Sequence, residues 1–146
     1  MIIPARTIRG SRAVLVALLV LAAALLPAMA QESVIASLEG VRQTAVSAYN
    51  ERNWSGAAQA ADSYVSSLEA AGLPLAGADY ALVAFIGGHA RFELWKAAPD
   101  SFPYNYEKDV LGAMQGSLKI LQDDPFFKHN VIGTAYAQVD TARPGT

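Results

Sequence analysis

Residues 80–88 carry no charged side chain on any face and end in two adjacent glycines, Gly87 and Gly88. A helix that is apolar all round has no side it can leave in water, so it must be surrounded by other elements. The glycines sharpen that demand, because each one inside a helix weakens it by about 1 kcal/mol relative to alanine. Close approach of a neighbouring helix to the bare backbone is the compensation. A chain built round such a segment is expected to wrap other helices about it.

The remaining stretches supply them. Residues 32–50 place Val34, Ile35, Leu38, Val41, Ala45, Ala48 and Tyr49 at three- and four-residue steps, which gives one apolar stripe. Asn53 is positioned to cap a second helix over 54–71, with Trp54, Ala57, Ala58, Ala61, Tyr64, Val65 and Leu68 on one side and Gly72 as its stop. The uncharged segment lies in a third helix, 79–97. A fourth, 105–122, carries Val110, Leu111, Met114, Ser117, Leu118 and Leu121. Asp124-Pro125 opens a fifth, with a capping carboxylate and a proline where its missing N–H costs nothing, and Phe126, Phe127, Val131, Ile132, Ala135, Tyr136 and Val139 follow. No segment sustains the period-two alternation of a strand. The expected fold is all-α: antiparallel hairpins, first helix with second and third with fourth, closed by a terminal helix, with 143–146 a frayed, disordered tail.

The N-terminus reads differently. Arg6, Arg9 and Arg12 precede an unbroken apolar run, 13–26, then Pro27 and Ala28-Met29-Ala30. A basic front, a short apolar stretch and a small-x-small end make a secretory signal peptide. Fourteen helical residues rise about 21 Å, short of the roughly 30 Å of a hydrocarbon core. Pro27 is expected to end the helix, with cleavage after Ala30, so that 1–30 is a general secretory leader and 31–142 the helical domain. Three of the eleven basic residues lie in the leader and all thirteen acidic ones beyond it, leaving the mature chain a net charge near −5. That is a poor match for nucleic acid or anionic lipid. The chain has no cysteine, which excludes disulfides, thiolate metal sites and a cysteine nucleophile.

Small residues at the helix contacts give the chain a likeness to a known architecture. Ala45 falls at the small position of a first helix, Trp54 at the aromatic place of the turn, and Ala57 at the small contact of a second helix. Ala113, Ser117, Ile120, Leu121 and Pro125 follow the spacing of a second helix and its closing proline, and Ala135 the small position of a following helix. In these positions the chain resembles the tetratricopeptide-repeat family. Ala57 and Ala113 stand 56 residues apart, against a repeat of about 34. Ala61 and Ser117 occupy places where that family has a bulky aromatic. The resemblance implies a scaffold that binds peptides or partner helices in a concave groove; a small bundle of about five helices is the other architecture compatible with the pattern.

Chemistry-bearing groups are sparse. His89 and Glu93 stand four residues apart on one helix face, a spacing that suits a metal or a base with its orienting carboxylate, but the rest of such a site is missing. His129, the other histidine, has no acid at helical spacing. Asp123 and Asp124 lead into nothing like a calcium loop. Gly87-Gly88 has no following Lys-Ser, and no G-x-S-x-G turn occurs. No catalytic residue, metal ligand set or cofactor is assigned. The partner-binding candidates are Trp95, Tyr104 and Tyr106, since such rings anchor interfaces, flanked by Arg91 and Lys96, which could hold a carboxylate. The sequence therefore predicts an exported scaffold, periplasmic or secreted, binding a protein or peptide, with no nucleic-acid partner and no stable membrane insertion after cleavage. A bundle binding a small ligand where the glycines leave room is the alternative, and a hydrolase built on His89 and Glu93 the less favoured one.

Overall fold

In the computed structural model the backbone is described for residues 10–121 and 131–145, and the side chains for 27–121 and 135–145. Among the described residues every regular element is helical and none is a strand. The α-helices are α1 (Gly10–Asn50), α2 (Trp54–Ala70), α3 (Ala78–Ala97), α4 (Ala113–Leu121) and α5 (Val131–Thr141). A single 3₁₀ turn, Pro99–Ser101, and a π-helical stretch, Tyr106–Gly112, join α3 to α4. The chain divides into two compact units, residues 1–36 and 37–146. All contacts described below lie within the second. The expected helix start at Asp124-Pro125, together with Asp123, Phe126, Phe127 and His129, lies outside the described residues.

Two expectations at the N-terminus need correction. Helix α1 runs through Pro27, so the backbone at 28–30 is helical and not extended. Proline removes one hydrogen bond from a helix, and the leucines and alanines flanking Pro27 are strong helix formers that carry the helix past it. Ile35, counted in the apolar stripe, is 56% exposed. Burial starts at Leu38, just inside the second unit, because periodicity marks a face without saying how far its neighbours extend.

Local signals place the α2 ends. The Asn53 side chain accepts from the Gly56 N–H at 3.0 Å. At the other end Gly72 takes φ +65°, its N–H reaches Glu69 O, and the Leu73 N–H reaches Leu68 O. That left-handed closure is the Schellman arrangement that glycine adopts without strain.

None of residues 80–88 of α3 is exposed: Ala81, Val83 and 85–88 are buried, and Tyr80, Leu82 and Ala84 are half-buried. A core of Ala81, Phe85, Phe92, Tyr106, Val110, Leu111, Met114, Leu121, Ala135 and Val139 joins α3, the π-helical stretch, α4 and α5. Alanines fill the α2 side, with Ala57 and Ala58 fully buried. The glycines lie where α3 meets its neighbours. A Cβ on Gly87 would sit 2.7 Å from Ala61 Cβ, and one on Gly88 would sit 2.7 Å from Met114 Cγ and 3.1 Å from the Val110 carbonyl oxygen. The two carbon–carbon distances fall below ordinary contact, so α3 approaches α2 at Gly87 and α4 at Gly88 because those side chains are missing.

The fourth helix was expected to be α-helical from 105. Its first turns, Tyr106–Gly112, are π-helical instead; the spacing of Tyr106, Val110, Leu111 and Met114 suits both windings and does not select between them. Reciprocal caps hold the wide turn. Asn105 Oδ1 accepts from the Lys108 N–H, and Asp109 Oδ2 accepts from the Asn105 N–H, each at 2.8 Å. The Tyr106 hydroxyl donates to Val139 O at 2.6 Å and ties this stretch to α5. Burial, then Asp140 and Glu107, pushes that phenol up to about 12, so it stays a donor. Arg143, the first residue of the expected tail, pairs with Glu107 at 3.2 Å and Asp140 at 3.3 Å.

Candidate functional site

Along α3, steps of three and four residues line up rings. Phe85 and His89 stack at 5.9 Å, His89 and Phe92 at 6.2 Å, and Phe92 and Trp95 at 6.0 Å. Tyr106 meets Trp95 edge-on at 4.9 Å. At the other end, Tyr49 from the last turn of α1 lies 5.6 Å from both Trp54 and His89. Edge-on and offset arrangements of this kind place positive ring edges on negative faces.

A polar chain runs through the rings. The Tyr49 hydroxyl lies 2.5 Å from His89 Nδ1. His89 Nε2 faces Glu93 Oε1 at 3.6 Å, and Glu93 Oε2 holds Lys96 Nζ at 2.8 Å. The carboxylate favours a proton on Nε2, which leaves Nδ1 to accept from the Tyr49 O–H. Burial pushes the His89 imidazole below its ordinary value, with Glu93 opposing and Lys96 assisting. Burial, with Glu93, pushes the Tyr49 phenol up. A raised phenol is a donor rather than a nucleophile, and His89 Nδ1 is engaged by it while Nε2 faces Glu93 without a hydrogen bond. His89 and Glu93 are thus members of an internal chain that runs from Tyr49 to Lys96.

The sequence candidates separate into two places. Trp95 and Tyr106 touch, and Lys96 lies beside them with its Nζ 5.0 Å from the Phe92 ring centre. Arg91 lies elsewhere: five residues of helix put it about 140° round α3 from Lys96, so the two cations do not converge on one carboxylate. Only 8% exposed, Arg91 pairs with Asp62 of α2, donates from Nη1 to the Asp109 carbonyl at 3.2 Å, and stands 5.0 Å over the Tyr104 ring. It joins α2, α3 and the π-helical stretch, and Tyr104 belongs with it. Tyr106 is itself buried, so of the five candidates Trp95 and Lys96 are the ones that combine ring, charge and exposure at one end of α3.

Tyr49 and Asp62 were missed as partners. Tyr49 reads as the last step of an apolar stripe. Asp62 carries a legible signal, an acid beside the buried Ala58 and Ala61, although that signal does not name Arg91.

The surface of Gly87 and Gly88, where a small-ligand pocket would have to open, is filled by Ala61, Arg91, Met114 and Ala113. Among the described residues no group of three or more histidines and acids could hold a metal. Among those with described side chains, no helix is long and apolar enough to cross a membrane. No family model, curated protein or solved structure matches the chain.

Proposed function

We propose that the chain is an exported helical scaffold that binds another protein or peptide in the cell envelope, periplasmic or outside the cell, once a leader ending at Ala30 is removed. In this reading the helices pair as antiparallel hairpins of tetratricopeptide type, and α3 presents its partner surface at the Trp95–Lys96 end. The supporting observation is the ring series that leaves the core at Phe92 and continues to the half-buried Trp95, beside a lysine whose side chain is 47% exposed. A large ring anchored from behind, with a charge at its rim, is the composition that carries binding energy at interfaces.

The test is site-specific photo-crosslinking in the native host. A crosslinker at position 96 is expected to give a discrete adduct, and one at exposed position 119 none. Trp95→Ala should weaken the adduct about tenfold or more with helicity unchanged, as truncation of an interface anchor does. Equal adducts at both positions, or none at either, would contradict the reading.

A further inference from the structure

We infer that Tyr106 is a positioning residue for Trp95: its buried ring, held in place from α5, braces the indole from outside α3 and fixes its pose before any partner arrives. This role rests on the partner surface proposed at the Trp95–Lys96 end of α3. It adds to that surface the buried group that sets its shape.

Trp95 needs such a neighbour. It stands two residues before the end of α3 and is half-buried. Among the described residues no hydrogen bond fixes its indole, so its pose depends on packing. Two described rings meet it. Phe92 stacks on it at 6.0 Å from the preceding turn of the same helix, and so cannot tie it to anything beyond α3. Tyr106 reaches it from the π-helical stretch at 4.9 Å, with the ring planes 66° apart. That near-perpendicular contact is a favoured arrangement for an aromatic pair. Without it, one side of the indole is open to the alternative rotamers of an exposed side chain.

Tyr106 itself is held along its whole length. The Asn105 and Asp109 caps fix the backbone on either side of it. Phe92 meets its ring at 6.4 Å, with the planes 72° apart. The hydroxyl, at the far end of the ring, donates to Val139 O at 2.6 Å. That carbonyl belongs to the last turn of α5, where helix carbonyls lack intrahelical donors, so the bond satisfies both groups. The next residue, Glu107, pairs with Arg143 just beyond α5 at 3.2 Å. One side chain therefore faces two ways, its hydroxyl to α5 and its ring to Trp95. An anchor ordered in advance loses less freedom on binding, which is how a buried residue with no exposed face can raise affinity.

The full chain carrying Trp54→Phe leaves Trp95 as the one tryptophan for fluorescence. In that background Tyr106→Leu removes the ring. It is expected to raise acrylamide quenching of Trp95 and to weaken the near-ultraviolet circular dichroism, with the far-ultraviolet signal kept. Tyr106→Phe keeps the ring, and both readouts should lie nearer the parent chain than the leucine variant. Adduct yield from a crosslinker at position 96 should fall about threefold to tenfold in Tyr106→Leu, the worth of one aromatic pair, and by less in Tyr106→Phe. If the leucine variant loses helicity, Tyr106→Met, nearer in volume, takes its place in the same comparison. Unchanged quenching or an unchanged adduct once the ring is removed, or equal changes in the ring-free and phenylalanine variants, would overturn the positioning role. No adduct at position 96 in the parent chain would instead contradict the partner surface, and the fluorescence comparison would still decide whether Tyr106 sets the pose of Trp95.

Discussion

Where α3 meets α2 and α4 the contact is made by leaving side chains out, whereas where it meets the end of α1 it is made by large rings and a shared proton. On the first side a Cβ at Gly87 or Gly88 would come within 2.7 Å of a neighbouring carbon. Such a contact is geometric and does not respond to pH. On the second side Tyr49, Trp54, His89 and Phe92 stand 5.6–6.2 Å apart, and one hydrogen bond involves a titratable nitrogen. One helix thus combines a seam that tolerates no added volume with a face that can change its charge.

The largest effect is expected on the seam. Met114 is fully buried against Gly88, and Met114→Ala should cost about 2–5 kcal/mol in denaturant unfolding. A loss below about 1 kcal/mol would mean that the seam collapses freely, and the contrast with the ring face would weaken.

The Arg91–Asp62 pair should give a smaller and asymmetric effect. Arg91 is 90% covered and Asp62 half-exposed, and Arg91 Nε has no hydrogen-bond partner among the described residues. Removing the exposed acid strands a buried charge, while removing the cation leaves a carboxylate that water can solvate. Asp62→Ala should therefore cost about 2 kcal/mol and Arg91→Met about 1 kcal/mol or less. Reversal of that order would show that the guanidinium is solvated and the contact is an ordinary surface pair.

The smallest effect belongs to the outer end of the ring face. Lys96→Ala removes an i,i+3 surface pair with Glu93 and should change the melting midpoint by the equivalent of no more than about 0.5 kcal/mol. Its influence should appear in partner capture, which makes it a control that separates binding from stability.

How much of this was legible beforehand follows the same division. The uncharged run with its glycines signals a surrounded helix, and none of residues 80–88 is exposed, although Tyr80, Leu82 and Ala84 are half-buried. Asn53 and Gly72 close α2 as their chemistry dictates. The π-helical turns escaped notice because a hydrophobic spacing of three and four does not distinguish 3.6 residues per turn from a wider winding. Pro27 misled because a proline's cost can be carried by strong helix formers on both sides. The candidate site was legible as residue types and not as partners. Tyr49 to His89 and Asp62 to Arg91 are contacts across 40 and 29 residues, and no local pattern encodes them.

The central claim, that missing side chains set how α3 approaches α2, is tested most directly by a double-mutant cycle on Gly87 and Ala61. Gly87→Ala should cost about 1–3 kcal/mol despite alanine's better helix propensity, because Ala61 Cβ is fixed to its backbone and cannot yield. Ala61→Gly should cost about 1 kcal/mol by itself. In the double variant the volume is exchanged across the contact, and the account predicts recovery of about 1 kcal/mol or more relative to the sum of the single changes. Losses that add within about 0.5 kcal/mol, as for independent sites, would contradict it.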